Sequence, residues 1–569
     1  MGDHPVRHIK AALVAGLLSS VSALPAYAQT EAAQQQADPG RVQQQLLEDR
    51  VLPQASPRVE VRDVLLQDVP ENADEIVLEL NQIQFDGVGV YSEEEIRSVY
   101  ANKLGTEVTL AEVYGIASAL TNKYRNDGYI LTQVIVPPQT IDGGKVTLRA
   151  VEGFVDQINV QGEEQPRARA LIESYAAQIR GNGPLNAQNL ERFLLLINDL
   201  PGVNARSILR PSQTQVGASD LQIIVERDPF DAFAAVDNHG SRYLGSLQIS
   251  AGAAFNSYFG NNERIVIQAA TAPDGGELYF YSLGYEQPVG PYGTTVSGLF
   301  SHSNTDPGFD LQQFNVKGSS DFAAITVEHP FIRSREQSLY AYGTFDYRDV
   351  DSSNILEQAR EDRIRALRAG GRYEFLDNLF SVGINTVNVE VSQGLNIFGT
   401  SRENDPNLSR PAGDPTFTKI TGEFQRLQRV TNNINIFVAA RGQLANNAQL
   451  SSEEFGVGGI NFGRGFDPSE IVGDDGFATK VEVQLNDPYP FETIEGYQLF
   501  GFYDFGKVYN DDATISDDDE SLASTGFGVR TDFTPATEGE LLVAIPLTRE
   551  VETQSDKGAS FLFSVSHNF

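Results

Sequence analysis

The feature that most constrains this chain is an alternation of apolar and polar residues that runs through residues 230–569. Clusters of Gly, Asn, Asp and Pro divide it into segments of about ten residues, the length of a tilted strand that crosses a membrane. In residues 477–485 the odd positions are apolar or Thr, whereas Lys480, Glu482 and Gln484 point the other way. Because successive side chains of a strand point to opposite faces, one face meets lipid and the other a wet lumen. About sixteen such segments, an even number, predict an all-β transmembrane barrel of antiparallel strands. A soluble β-sandwich is the alternative.

Composition excludes several other classes of protein. The chain has 569 residues, of which 40% are hydrophobic and 21% charged, as in ordinary folded proteins. No apolar run beyond the N terminus approaches the ~20 residues of a membrane-spanning helix. The net charge of −35 repels phosphate backbones and argues against nucleic-acid binding. Because Cys is absent and only 6 His are present, we expect no disulfide, no metal and no cofactor.

The N terminus predicts a secretory signal peptide that covers residues 1–28. A basic stretch ends at Lys10, residues 11–24 are apolar but too few to span a membrane comfortably, and residues 26–28 read Ala-Tyr-Ala, an A-x-A cleavage site. An amphipathic helix or a disordered stretch is the alternative. An exported chain without Cys belongs in the periplasm, the outer membrane or the medium.

Two short regions follow the signal peptide. Residues 29–57 are Gln-rich and predict one isolated helix, with Asp38 as its cap, Pro39 in its first turn and apolar residues at helical spacing from Val42 to Leu52. Residues 58–74 mix Pro with charged residues and show no sustained period, which predicts a linker.

Residues 75–229 hold an internal repeat of about 75 residues, which we divide into units 75–152 and 153–229. Each unit has the order strand, helix, helix, strand, strand, which is an α+β domain. In the first unit, capping boxes that start at Ser92 and Thr109 open the two helices. Its strands are expected at residues 76–85, 131–136 and 145–151. In the second unit, strands are expected at 154–160, 205–210 and 221–225, and helices at 167–179 and 189–200.

The longest irregular stretch within the barrel region is predicted at residues 443–476. It contains Gly463-Arg464-Gly465-Phe466, in which a single cation lies between two glycines that let the backbone turn sharply. Loops of this length usually carry function or are disordered. From the residues alone, a functional loop and a mobile surface loop both remain open.

A second segment, residues 500–506, bears on whether the loop is functional or a mobile surface loop. In residues 500–506, alternation places Tyr503 and Phe505 on one face and Phe502 and Asp504 on the other. If the aromatic face meets lipid, Asp504 points into the lumen, where a carboxylate needs a partner or water. Arg464 on a loop folded into the lumen could supply a charge-assisted, bidentate bond. Solvation of Asp504 by lumen water is the alternative.

Taken together, these features resemble the two-partner secretion transporters. This TpsB family, of the haemolysin secretion/activation type, lies within the outer-membrane superfamily of translocators and insertases built from polypeptide-transport-associated (POTRA) units and a barrel. The resemblance rests on two tandem POTRA-like units, a helix after Asp-Pro-Gly-Arg, the barrel, and the motifs Gly463-Arg464-Gly465-Phe466 and Phe502-x-Asp504-x-Gly506. It covers essentially the whole mature chain. The family's loop motif is usually Val-Arg-Gly-Phe, so Gly463 departs from it while the Arg-Gly-Phe core is kept.

The resemblance implies roles for particular residues. The loop would fold back into the lumen, and Arg464 would form a salt bridge with Asp504. The helix at about residues 39–52 would plug the pore at rest and leave it during transport. Phe569 matches the terminal aromatic that resembles the assembly signal of outer-membrane barrels, which the barrel-assembly machinery of the cell would read.

The resemblance also implies a function, namely a pore in the outer membrane of a Gram-negative cell with its POTRA units in the periplasm. It would secrete a large unfolded exoprotein of the adhesin, haemolysin or contact-dependent toxin type. We expect the POTRA units to capture this client by β-augmentation along an exposed strand that carries Leu131, Val134 and Val136. A monomer in outer-membrane lipid suffices.

Other functions were weighed against this one. The same architecture could serve an assembly factor that inserts other barrels, whereas a passive diffusion channel or surface receptor would leave the POTRA units unexplained. The chain contains no H-E-x-x-H, G-x-S-x-G or Walker motif, so we do not expect an enzyme. The acidic run at residues 517–520 predicts a solvated turn rather than a calcium site.

Overall fold

A computed structural model gives the fold of most of the chain. The residues that it describes are 36–48, 59–60, 68–181, 183–215, 217–273, 276–355, 359–487, 494–511 and 519–569. The predicted signal peptide and residues 58 and 61–67 of the predicted linker lie outside these residues. Within the described residues, no helix combines the length and the apolar character needed to cross a membrane.

The predicted N-terminal helix is present as α1, Pro39–Glu48. Asp38 caps it as expected, since its Oδ1 accepts hydrogen bonds from the backbone N–H groups of Gly40 and Arg41, each at 3.0 Å. The part of the prediction beyond Glu48 lies outside the described residues. A two-residue strand, β1 (Val59–Glu60), follows within the region that we predicted to be a linker without regular structure.

The first repeat unit contains the two predicted helices and more strands than predicted. Its elements are β2 (Val77–Leu80), β3 (Gln82–Asp86), α2 (Glu93–Tyr100), β4 (Thr106–Thr109), α3 (Leu110–Asn126), β5 (Gln133–Ile135) and β6 (Lys145–Val151). Both capping boxes are confirmed, Ser92 with Glu95 and Thr109 with Glu112. The single strand expected at residues 76–85 is wrong, because the chain changes sheets at Asn81: β2 pairs with β4, whereas β3 pairs with β6.

The second unit repeats the same topology. Its elements are β7 (Phe154–Gln161), α4 (Pro166–Arg180), α5 (Ala187–Asn198), β8 (Val203–Pro211) and β9 (Ala218–Arg227). In each unit a strand that precedes the helices, β3 or β7, pairs in parallel with the last strand, and the last strand pairs antiparallel with the one before it, in the orders β3-β6-β5 and β7-β9-β8. Strand β1 extends the second sheet, because Val59 and Glu60 pair in parallel with Ser207 and Ile208 of β8.

Sixteen strands of the described residues close into one antiparallel barrel. They are β10 (Phe230–Asp237), β11 (Gln248–Asn256), β12 (Arg264–Thr271), β13 (Leu278–Val289), β14 (Thr294–Thr305), β15 (Lys317–Arg333), β16 (Gln337–Ser353), β17 (Arg360–Asp377), β18 (Gly383–Gly394), β19 (Thr418–Arg429), β20 (Ile434–Ala445), β23 (Asp475–Asn486), β24 (Gly496–Tyr509), β25 (Asp519–Thr534), β26 (Thr537–Pro546) and β27 (Ser560–Asn568). Two short strands, β21 (Phe455–Val457) and β22 (Ile471–Gly473), pair only with each other.

The barrel wall has the two faces that alternation predicts. On β23, Val481 and Val483 are exposed on the outside, whereas Glu482 and Gln484 are buried on the lumen side. The ring closes where β10 pairs with β27, from Phe233↔Asn568 to Asp237↔Ser564. This junction, which we call the seam, joins the first and last strands of the barrel.

The second unit is fixed to the barrel by arginines. The Arg333 guanidinium at the end of β15 bonds both carboxylate oxygens of Asp199, at 2.6 and 2.7 Å. Arg192 on α5 donates to the carbonyl oxygens of Pro330 and Phe331, at 2.7 and 2.9 Å. Planar bidentate pairs of this kind fix orientation as well as distance. The second unit therefore lies against this end of the barrel, which β10 enters directly from β9.

Candidate functional site

The loop predicted at residues 443–476 connects β20 to β23 and occupies residues 446–474. It is less irregular than predicted, because β21 and β22 form a hairpin within it and residues Ser451–Glu453 form a 3₁₀ turn. Its apolar side chains pack against the inner wall of the barrel. That cluster joins Phe455, Val457, Phe462, Phe466 and Ile471 of the loop to Ala439, Ala478, Val508, Leu522 and Val551.

The structure brings Arg464 and Asp504 together inside the barrel. Arg464 Nε lies 3.0 Å from Asp504 Oδ2, and Nη2 lies 2.8 Å from Oδ1, which is a bidentate pair. The backbone N–H of Arg464 also donates to Asp504 Oδ2, at 3.1 Å. The guanidinium carbon lies 3.5 Å from the centre of the Phe502 ring. Arg464 is 2% exposed and Asp504 0%, so each buried charge has its partner.

Two glycines shape this contact for different reasons. Gly463, which stands where the family usually has Val, has a φ of +114°, a conformation that side chains rarely adopt. At Gly506 a Cβ would lie 2.3 Å from Val457 Cγ1, so the missing side chain makes room for the loop hairpin against β24. Gly465 lies against Ser524 of β25. Each member of the wall motif thus contacts the loop: Phe502 stacks on Arg464, Asp504 pairs with it, and Gly506 admits Val457.

A second carboxylate, that of Glu482, lies at this contact and was not predicted from the sequence. Glu482 Oε2 accepts from Arg464 Nη1 at 2.7 Å, and Glu482 Oε1 accepts from Arg530 Nη1 at 2.6 Å. Arg530 in turn pairs with Glu540 at 2.6 Å. Alternation had placed Glu482 on the lumen face, but nothing in the sequence indicated which cation it meets.

The helix α1 lies inside the barrel against β14, β15 and β16. Ser303 Oγ donates to Pro39 O at 2.9 Å, Arg348 Nη1 donates to Gly40 O at 2.8 Å, and Ser320 Oγ donates to Gln43 Oε1 at 2.8 Å. The helix packs Val42 and Leu46 into an apolar cluster with residues that include Tyr243, Leu244 and Phe280.

Two neighbouring carboxylates of the loop, which were not predicted, form ion pairs with α1 and with the barrel. Glu454 accepts from Arg41 of α1 at 2.7 Å and pairs with Arg410 at 3.0 Å. Glu453 pairs with Arg368 and Lys419 of the barrel wall, at 2.9 and 2.7 Å. The helix and the loop are therefore held by two adjacent sets of buried ion pairs, one at Glu454 and one at Glu453.

The loop also carries a buried carboxyl group, Glu470, whose pKa is raised. Burial, with a smaller contribution from the neighbouring Asp467, raises the pKa of Glu470 to about 8. Glu470 Oε1 accepts from the backbone N–H of Glu552, at 2.8 Å, in the connection between β26 and β27. This contact ties the loop to a second connection at the same end of the barrel.

The strand expected to capture a client is less accessible than we expected. β5 is an outer strand of its sheet, but the side chains of Val134 and Val136 are buried in the core of the first unit. The backbone N–H of Val134 donates to Thr121 Oγ1 of α3 at 2.9 Å, so this edge group is already bonded. Leu131 packs against the core of the second unit. The expectation of an exposed strand is wrong at these positions.

The remaining predicted positions are as follows. Phe569 is 73% exposed, and its backbone N–H donates to Ala232 O at 2.8 Å, so the terminal residue lies beside the seam. Of the acidic run at residues 517–520, the first two residues lie outside the described residues. Asp519 and Glu520 belong to β25 and pair with Lys507 and Arg549.

A barrel closed around an internal helix and an inward-folded loop, preceded by POTRA-like units, defines a class of outer-membrane translocator. The model of the haemolysin secretion/activation protein family ShlB/FhaC/HecB matches residues 217–531, and that of the ShlB-type POTRA domain matches residues 78–153. The chain belongs to this family.

Individual proteins agree with this assignment. The heme/hemopexin transporter protein HuxB of Haemophilus influenzae is 23% identical over 528 residues, 91% of this chain and 92% of its own. The outer membrane transporter CdiB of Dickeya dadantii is 21% identical over 451 residues, 77% of this chain and 78% of its own. The structure of CdiB from Escherichia coli superposes with a TM-score of 0.74 at 18% identity, over 95% of this chain and 98% of the other.

The predicted fold class is confirmed, and so are the location in the outer membrane and the general function. The chain is an outer-membrane transporter of the two-partner secretion type, which exports exoprotein through a barrel that follows periplasmic POTRA structure. A barrel of BamA from Haemophilus ducreyi lacking POTRA domains 1–3 also superposes, with a TM-score of 0.53 at 13% identity, which shows a shared fold and nothing about activity.

Proposed function

We propose that the lumen of this barrel is the path of a large unfolded exoprotein and that α1 and the Arg464 loop close it at rest. The observation that carries this proposal is Glu454 of the loop, whose buried carboxylate pairs both with Arg41 of α1 and with Arg410 in the connection between β18 and β19. A lumen wide enough for an extended chain would leak without such a filling. The ion pair between α1 and the loop can be exchanged for water when the helix leaves.

We propose that the client is first captured in the periplasm through main-chain pairing. The edge of β8 suits this better than the edge of β5. β8 has nine residues, and among the described residues only Ser207 and Ile208 are paired, by β1, on the side away from β9. The pairing of β1 supports the idea that this edge accepts an added strand. A client strand that pairs there would compete with the segment that follows α1.

The identity of the client is an open part of the proposal. The relatives are named as a heme/hemopexin transporter and as CdiB transporters. We propose a client of the same broad kind, a large secreted protein of the adhesin, haemolysin or contact-dependent toxin type. With no nucleotide site expected, folding of the client outside the cell would supply the driving force. Phe569 at the terminus would serve assembly of the barrel itself.

The experiment compares the culture supernatant and the outer-membrane proteome of cells with and without this gene. We expect the loss of one or two large exoproteins from the supernatant while other barrels keep their abundance. Depletion of many barrels would instead identify an assembly factor and would contradict the proposal.

A further inference from the structure

A cavity of about 660 Å³ lies in the lumen beside α1, on the side where the barrel closes. Its walls are α1, the loop and the inner faces of β10, β25, β26 and β27, and we call it the seam vestibule. One end is lined by Asp532 and Glu538, which are exposed and flank the short turn between β25 and β26. β10 enters the barrel from the second unit at this same end, so the vestibule opens toward the periplasm.

The inner end of the vestibule carries buried polar groups whose bonding capacity is unused. Gln36, which precedes α1, is 4% exposed, and within the described residues neither its Nε2 nor its Oε1 has a hydrogen-bond partner. Ser241 is 3% exposed, and within the described residues its Oγ also has no hydrogen-bond partner. Both side chains line the cavity. Because a buried polar group without a partner is costly, these atoms favour a ligand that bonds them.

The chemistry of these groups indicates what that ligand is. A Gln side-chain amide offers a donor and an acceptor side by side, and the main chain of an extended peptide presents the same pair. At the mouth, the carboxylates of Asp532 and Glu538 favour cationic side chains. Arg530, a cation of the wall nearby, is already paired with Glu482 and Glu540. The site therefore fits an extended segment that bears Lys or Arg.

We propose that the seam vestibule binds an extended cationic segment of the client while α1 still occupies the lumen. This rests on the proposed function, since it assumes that the chain transports an unfolded protein. The first segment of the client then enters beside the plug, and only the passage of the rest requires α1 to leave. Binding in the vestibule places the client against α1, where it can compete for the space that the helix fills.

The natural absence of Cys allows a direct test. Ser566 on β27 lines the vestibule, whereas Ser303 on the opposite wall is bonded to Pro39 O beneath α1. The full-length protein is reconstituted as Ser566→Cys or as Ser303→Cys and treated from the periplasmic side with a cationic thiosulfonate. We expect fast modification of the Ser566→Cys protein and slow modification of the Ser303→Cys protein, as long as α1 is in place. Equal rates for the two variants would overturn the proposal.

The binding step is tested with two synthetic decapeptides, one alternating Lys and Ser and the other Glu and Ser. We expect the Lys peptide to slow modification of the Ser566→Cys protein about tenfold when it is present at roughly nine times its dissociation constant. Adding Gln36→Leu should weaken this protection without changing the rate in the absence of peptide. No protection, or equal protection by the Glu peptide, would overturn the proposal. Exoprotein secretion that depends on the gene would, in that case, still support the transport function.

Discussion

The helix α1 and the loop at residues 446–474 both fill the lumen, but they are attached to it in different ways. Among the described residues, α1 has one ion pair, from Arg41 to Glu454, hydrogen bonds that include one from the Arg348 guanidinium to Gly40 O, and a small apolar face. The loop has the bidentate pair between Arg464 and Asp504, a second pair to Glu482, and an apolar cluster shared with the wall. The loop is therefore an extension of the wall, whereas the helix is a separable insert.

This difference also determines which buried carboxylates lose a partner when α1 or the loop leaves the lumen. If α1 leaves, Arg41 reaches water and Glu454 keeps Arg410, so no buried carboxylate loses its only partner. If the loop leaves, Asp504 loses the cation that bonds both of its oxygens. We infer that the helix moves first and at lower cost, and the following experiments test that order.

Locking the helix should have the largest effect. A Cβ built at Gly40 lies 3.0 Å from Ser452 Cβ, within about 1 Å of the separation in a disulfide. We expect the oxidised Gly40→Cys/Ser452→Cys variant to lose secretion entirely, because α1 cannot separate from the loop. Exoprotein in the supernatant is measured with and without reductant, which should restore export. Each single Cys variant is the control, and export by the oxidised pair would show that the helix need not leave.

Removing the loop's cation should have the next largest effect. Arg464→Ala leaves Asp504 buried without its partner, a change that typically costs about 3–5 kcal/mol. We expect secretion to fall strongly while the barrel still assembles at normal abundance, measured by heat-modifiable mobility in gels. Arg464→Lys is the matched variant, since it keeps the charge but loses the planar fork, and should be intermediate. Normal secretion by the Ala variant at normal barrel abundance would contradict the role given to Arg464.

Removing Arg41, the cation of α1, should have a smaller effect, and it should favour opening of the channel instead of reducing secretion. Arg41→Gln weakens the hold on α1 by about 1–3 kcal/mol, the usual range for a hydrogen bond to a charged group. We expect more frequent channel opening in planar bilayers with secretion retained. Gln45→Ala, which removes one hydrogen bond to Ser469 at 3.0 Å, is the matched control on the same helix and should open less often. Equal opening in the two variants would mean that the ion pair does not hold the plug.

The contrast between helix and loop could be predicted only in part from the sequence. Local signals were reliable: the capping boxes at Ser92 and Thr109 and the lumen face of Glu482 follow from spacing alone. Alternation offered the pairing of Arg464 with Asp504 beside solvation of Asp504 by lumen water, and only the resemblance favoured the pair. The pair of Arg41 and Glu454 joins residues 413 positions apart, and periodicity assigns a residue to a face without naming its partner. Likewise β1 is two residues long, too short for any period to be visible.

The smallest effect should come from pH, through the buried carboxyl groups of Glu470 in the loop and Glu552 in the connection between β26 and β27. The pKa of Glu470 is raised to about 8 and that of Glu552 to about 7, chiefly by burial, against about 4.3 for an exposed Glu. The docked loop therefore binds more protons than the undocked loop between pH 4.3 and 8, so its docking weakens as pH rises through this window and is constant above it. We expect proteolysis of the loop to increase from pH 5 to pH 9, and Glu470→Gln to flatten most of that rise. The helix-locked variant should show the same pH profile as the reduced one, because the titrating group, Glu470, is bonded to the connection between β26 and β27 rather than to α1. A profile that changed with the lock would mean that α1 and the loop do not move separately.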